Sequence, residues 1–266
     1  MTLAARTRTP NATTLLLWVA LGAASLAVLG DLLEHWIASP WSRYSLLFTA
    51  LYAWACRGTH ATDPDRELGR ALVAFGAVFE VLAIGGGFDR YGRIGLGIAL
   101  VGMTCLHGVP SWSRRLAVLW IIPVPHFIVS GFGEPILAHW ATLGAAVANA
   151  WAPGSLWSDV SVWLAEEPSF LLDGVAGGLS VALVLAGCGW MTVARVGGPL
   201  SDACWRGVLW SLLAVPLQAA CVVSAAVLLT AEQVAPSTVA NGLMHATWVL
   251  GAIVGLLLCR KQRAEG

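Results

Sequence analysis

Nine apolar stretches, separated by short polar connections, divide this chain of 266 residues. They run at 13–30, 44–56, 71–88, 94–110, 116–133, 135–153, 171–191, 207–230 and 242–259. A helix needs roughly 20 apolar residues to cross a hydrocarbon core of about 30 Å. Backbone inside that core must satisfy its own hydrogen bonds, which favours helices, and the alternation of a transmembrane barrel is absent. The pattern predicts an all-α integral membrane fold, a single polytopic domain over residues 1–266.

Two stretches depart from a simple span. The fifth, LAVLWIIPVPHFIVSGFG, is broken by Pro123 and Pro125, and the sixth follows it after almost no polar connection. The connection at 154–170, GSLWSDVSVWLAEEPSF, carries three acids and no Lys or Arg, and it reads as a polar loop. The glycines at 85–87, 177–178 and 187/189 read as close contacts between helices.

The basic residues choose among topologies. If all nine segments cross and the N-terminus is inside, the basic C-terminus and the Arg195/Arg206 loop fall outside, against the rule. If the Pro-broken pair 5–6 forms a re-entrant or interfacial hairpin, eight spans remain and both termini lie in the cytoplasm. Arg6, Arg8, Arg57, Arg66, Arg70, Arg114, Arg115, Arg195, Arg206, Arg260, Lys261 and Arg263 are then inside, and only Arg43, Arg90 and Arg93 outside. The eight-span arrangement is therefore expected, with cytoplasmic tails at 1–12 and 260–266. The start of the chain also has the basic, apolar, small-residue order of a cleaved signal, but it reads as an uncleaved first span.

Composition agrees with a lipid solvent. Apolar residues form 58% of the chain and charged residues 11%, with a mean hydropathy of +0.74. A soluble domain carries roughly 25% charged residues. Net charge is zero, so nothing points to nucleic acid. The six cysteines have neither CxxC nor zinc-type spacing, and no metal or cofactor is implied. His60, Asp63 and Asp65 share one mixed-charge loop, which reads as solvated rather than as a metal site.

The eight-span topology gathers Asp173, Ser224, Glu232, Asn241 and His245 at the outer surface, and puts Cys56, Cys188, Cys204 and Cys259 at or near the inner one. Ionisable groups inside a span point to function by default. His245 opens the last segment and is a candidate base or relay. Asp173 opens the seventh, where an acid also complements the helix dipole. Glu80 and His107 lie within the third and fourth segments and are a candidate pair. His126 and His139 flank the broken hairpin and are candidates for the same outer cleft.

Several stretches resemble one family of membrane proteins. WIASPWSRYSLLFTALYAWACRG (36–58) resembles the first hairpin of the exosortase/archaeosortase family. LAVLWIIPVPHFIVSGFGEPILAHWATLGAAVANAWAPG (116–154) resembles its central stretch, most specifically at Ile122-Pro123-Val124-Pro125. The last three segments resemble the family's in order and spacing, with Pro216-Leu217 inside one and His245 opening the next. The resemblance implies eight helices and cysteine-protease or transpeptidase-like chemistry on the outer face. The implied partners are exported proteins ending in a short sorting signal, a transmembrane helix and a basic tail.

The family's catalytic positions are not kept. Its Ala-Cys-Ser-Gly-Leu-Arg motif falls on Gly174–Leu179, which puts Val175 at the nucleophile. Its arginine nine residues after the segment-8 proline falls on Ala225, and its Asn on Val222. Only His245 is retained. A cysteine peptidase needs a thiolate activated by a base or cation, and Val175 supplies none. Cys188 lies 13 residues along the same segment, roughly 20 Å away on a helix. The expected protein is thus a non-catalytic member that binds a partner's helix. The alternatives are an active enzyme using Asp173, Ser224 or His245, and a small transporter or channel-like protein using Glu80, His107 and the Pro-broken hairpin. Glu166-Glu167 resembles the acid pair of glutamate-type membrane proteases, but Leu171 occupies the position their arginine needs. Val129–Gly133 lacks the leading glycine of a serine-nucleophile turn.

Overall fold

The computed structural model describes residues 44–122 and 178–214 continuously, three short strands between 156 and 171, and scattered positions within 19–36, 216–217 and 249–257. Helix dominates. The helices are α1 (Tyr44–Cys56), α2 (Arg66–Gly85), α3 (Asp89–Leu106), α4 (Trp112–Ala117), α5 (Gly178–Val196) and α6 (Leu200–Ser211), and a 3-10 turn spans Val118–Ile121. Among the described residues α2 is the one helix long and apolar enough to cross a membrane. Ser45–Cys56, Tyr91–Leu106 and Val181–Val196 are apolar but shorter.

The polar stretch 154–170, expected to be a loop in an all-α fold, holds an antiparallel meander of β1 (Leu156–Ser158), β2 (Ser161–Leu164) and β3 (Glu167–Leu171). Ser158 pairs with Ser161, and Leu164 with Glu167. Valines and tryptophans are dense here, and the ladder gives their backbone the partners a loop would leave to water.

The chain forms two compact units, residues 1–35 with 61–109, and 36–60 with 110–266. In the first, α2 and α3 make an antiparallel hairpin with almost no space between them. A Cβ on Gly76 would lie 2.6 Å from Ala99 N and Gly95 O, and one on Gly102 would lie 2.8 Å from Gly69 O. Gly69 and Gly76, like Gly95 and Gly102, are seven residues apart and share a face, so the two backbones meet along both pairs. Val73, Ala99 and Met103 fill the remaining seam. Asp65 caps α2 by accepting from Leu68 N–H. Gly87 and Gly108, both at positive φ, end α2 and α3. At these ends the Phe88 and Val109 amides reach back to Ala83 and Thr104. The 85–87 glycines thus form a turn rather than a helix contact: a Cβ on Gly85 would meet nothing within 4 Å.

Opposite its packed face α2 turns Phe75, Val78, Val81 and Leu82 outward, each more than half exposed. Trp205, Val208, Leu209 and Leu212 make a similar exposed stripe on and just beyond α6.

In the second unit Phe48, Leu51 and Ala55 of α1 pack on Val184, Cys188, Met191 and Ala194 of α5. Here the expected glycine contacts are found: Gly187 admits the Phe48 ring, and a Cβ on Gly189 would lie 2.9 Å from Arg206 O on α6. Helix α6 starts at Leu200, seven residues before the apolar run at 207.

Candidate functional site

The residues singled out by sequence for chemistry, Asp173, Val175, Ser224, Ala225, Asn241 and His245, lie outside the described residues, as do His126 and His139. The described part nonetheless holds two polar constellations, one in each unit.

In the second unit three helix ends are tied by two arginines. Helix α5 stops at Gly197, whose φ of +74° suits glycine, with Gly198 N–H on Val193 O and Gly197 N–H on Ala194 O. That stop leaves terminal carbonyls needing donors. Arg114 of α4, 80 residues away in sequence, supplies them: Nε donates to Ala194 O at 2.5 Å and Nη2 to Arg195 O at 2.6 Å. Arg195 in turn donates from Nη1 to Trp54 O at 3.1 Å and to Arg57 O, at the end of α1. Its guanidinium lies 5.7 Å from the Trp54 ring centre. Positive charge at these C-terminal ends also complements the helix dipoles. Burial lowers the Arg114 guanidinium from its usual value; nearby Cys56 opposes the shift, and Arg195 adds to it.

Neighbours of Arg114 complete the joint. Ser113 Oγ donates to Gly198 O at 2.6 Å, and Trp190 Nε1 donates to Ser113 O at 2.8 Å. Beyond α4 the Trp120 ring centre lies 5.6 Å from Phe48 and 6.2 Å from Trp190. The joint therefore fixes where the chain leaves toward Pro123, with the 3-10 turn ending at Ile121 and Ile122 already extended.

Among the described thiols, Cys56 is half-buried beside this joint, with Tyr52, Arg114 and Arg195 within electrostatic reach. Both guanidinium groups are committed to backbone carbonyls, and the site resembles a structural joint more than a nucleophile's cradle. Cys188 is fully buried in the α1/α5 core, where a thiol has no water or substrate to meet.

The first unit holds a buried acid. Glu80 of α2 is 0% exposed; Ser25 Oγ donates to its Oε2 at 3.2 Å, and its Oε1 has no hydrogen-bond partner among the described residues. The wall opposite is α3 at Gly92 and Gly95, where added Cβ atoms would lie 3.9 Å from Glu80 Cγ and 2.8 Å from Glu80 N. The expected pair with His107 is not made. His107 caps the far end of α3, 12 residues beyond Gly95, or roughly 18 Å along the helix.

Comparison with protein-family models, with curated proteins and with solved structures finds no match.

Proposed function

We propose that this chain is a multi-pass helical membrane protein of exosortase/archaeosortase-like architecture. In this reading it binds, without cleaving, the C-terminal apolar helix and basic tail of exported proteins. It crosses the cell membrane eight times, keeps both termini in the cytoplasm, and presents Asp173, Ser224, Asn241 and His245 outward.

The observation that carries the reading is the convergence of Arg57, Arg114 and Arg195 at one end of the second unit. Charge counting assigns the same three to the inner side. The outward apolar stripes of α2 and α6 add support, because side chains such as Leu82 at 68% exposure need an apolar solvent or partner. The non-catalytic part rests on Val175 and Ala225 at the positions where the resembling family keeps Cys and Arg.

A reporter ending in an apolar helix and a basic tail tests the reading. It is co-expressed with the Val175→Cys variant, and single cysteines are scanned through its helix. Disulfide trapping at position 175, with the reporter's tail intact beside the native protein, is the expected result. Loss of the tail with the native protein would show an active peptidase. Neither trapping nor cleavage would remove the partner assignment.

A further inference from the structure

We propose that Glu80 and Ser25 form a proton-binding site inside the first unit, with the Glu80 side chain held as the neutral acid. This does not rest on the family resemblance. It rests on the surroundings of one carboxyl group.

Glu80 is fully buried on the packed face of α2, and Ser25 is 3% exposed. A carboxylate can accept several hydrogen bonds, yet this one has a single hydroxyl contact and an oxygen with none among the described residues. Among the described residues its surroundings also include the glycine wall of α3 and the apolar Val28, whose Cγ2 lies 2.7 Å from where a Gly92 Cβ would stand. Among the described residues, no charged group is hydrogen-bonded to it. Arg93 of α3, 2% exposed, has interactions of its own, and the one side-chain hydrogen bond described for Glu80 is with Ser25. Glu34, nine residues after Ser25 in sequence, is exposed.

Burying a lone charge is costly, and such groups usually neutralise. The geometry accommodates the neutral form directly. With a proton on Oε2, the same 3.2 Å contact is made in the opposite sense, the carboxyl donating to Ser25 Oγ. Oε1 is then a carbonyl oxygen, whose missing partner costs far less than that of a carboxylate. Helix α2 thereby carries no charge from Ala71 to Gly85. Because Glu80 is 0% exposed, water reaches it, and the proton leaves, only when the packing around it opens.

The infrared difference spectrum between the purified native protein and Glu80→Gln, at neutral pH, tests this. The expected result is a protonated-carboxyl C=O band in the native protein that is absent from the variant and moves to higher frequency in Ser25→Ala. A difference spectrum that instead shows only lost carboxylate bands overturns the proposal. If Glu80→Gln does not fold, labelling of the native protein decides. Apolar dicyclohexylcarbodiimide should modify Glu80, the carboxyl oxygen bonding to the central carbon and its proton passing to nitrogen with nothing expelled. A water-soluble carbodiimide should not. Peptide mapping that finds Glu80 unmodified by the apolar reagent, or modified equally by both, overturns the proposal.

Discussion

Arg114 holds the end of a helix 80 residues away, its guanidinium hydrogen-bonded to the carbonyls of Ala194 and Arg195. The same helix end then passes the arrangement on, through Arg195 to the carbonyls of Trp54 and Arg57. Three helix termini are joined by two side chains, and the joint depends on the fork of guanidinium donors rather than on charge alone.

Replacing Arg114 by Ala should destabilise the second unit by about 1.5–3 kcal/mol, the range for hydrogen bonds to a charged group. Arg114→Lys should recover only part of that, since an ammonium cannot span both carbonyls in the same geometry. Thermal unfolding of the solubilised protein measures both. Equal stability of Arg114→Ala and the native protein would reduce the joint to a surface contact.

The α2/α3 hairpin should discriminate sharply between glycines. Gly76→Ala puts a methyl group 2.6 Å from the backbone of α3, and overpacking of this kind costs about 1–3 kcal/mol. Gly85→Ala meets open space and should change stability by less than about 1 kcal/mol, in the stabilising direction. Thermal unfolding of the two variants side by side is the check.

The hairpin also marks how far the sequence could be read. Its two helices were legible from apolar runs ended by glycine, with Asp65 before one of them. Its seam was not: Gly69, Gly76, Gly95 and Gly102 stand out only once a facing helix is known, and the conspicuous glycines at 85–87 turned out to make the turn. The partner of Glu80 is Ser25, 55 residues away, and no spacing rule selects it over His107. Arg114 and Arg195 were visible as topology markers. A basic pair just before a proline-broken segment, and an arginine just before Gly-Gly, were the signals that they also cap helices. The meander at 156–171 was announced by Val160, Val162 and Trp163 within a stretch whose acids suggested only a loop.

Asp65 offers a local control. Its carboxylate accepts from Leu68 N–H at 3.3 Å, so Asp65→Ala should cost about 1 kcal/mol and Asp65→Asn much less. An unchanged unfolding temperature for Asp65→Ala would mean that water caps α2 equally well.

Trp190 should be separable into ring and donor. Trp190→Phe keeps much of the packing against Trp120 but loses the 2.8 Å hydrogen bond to Ser113 O, at a cost of about 1 kcal/mol from the bond itself. Trp190→Ala should cost about 3–5 kcal/mol. Near-equal losses for the two, read by thermal unfolding, would assign the role to the indole N–H alone.

Sidedness is the direct test of the whole account. The proposed topology puts exposed Cys204 on the inner side and position 175 on the outer one. Each is measured as the single cysteine of a variant, in intact cells, with a membrane-impermeant maleimide. Labelling of Val175→Cys in intact cells, and of Cys204 only after permeabilisation, is the expected result. Labelling of Cys204 in intact cells, or identical behaviour of the two positions, would contradict it.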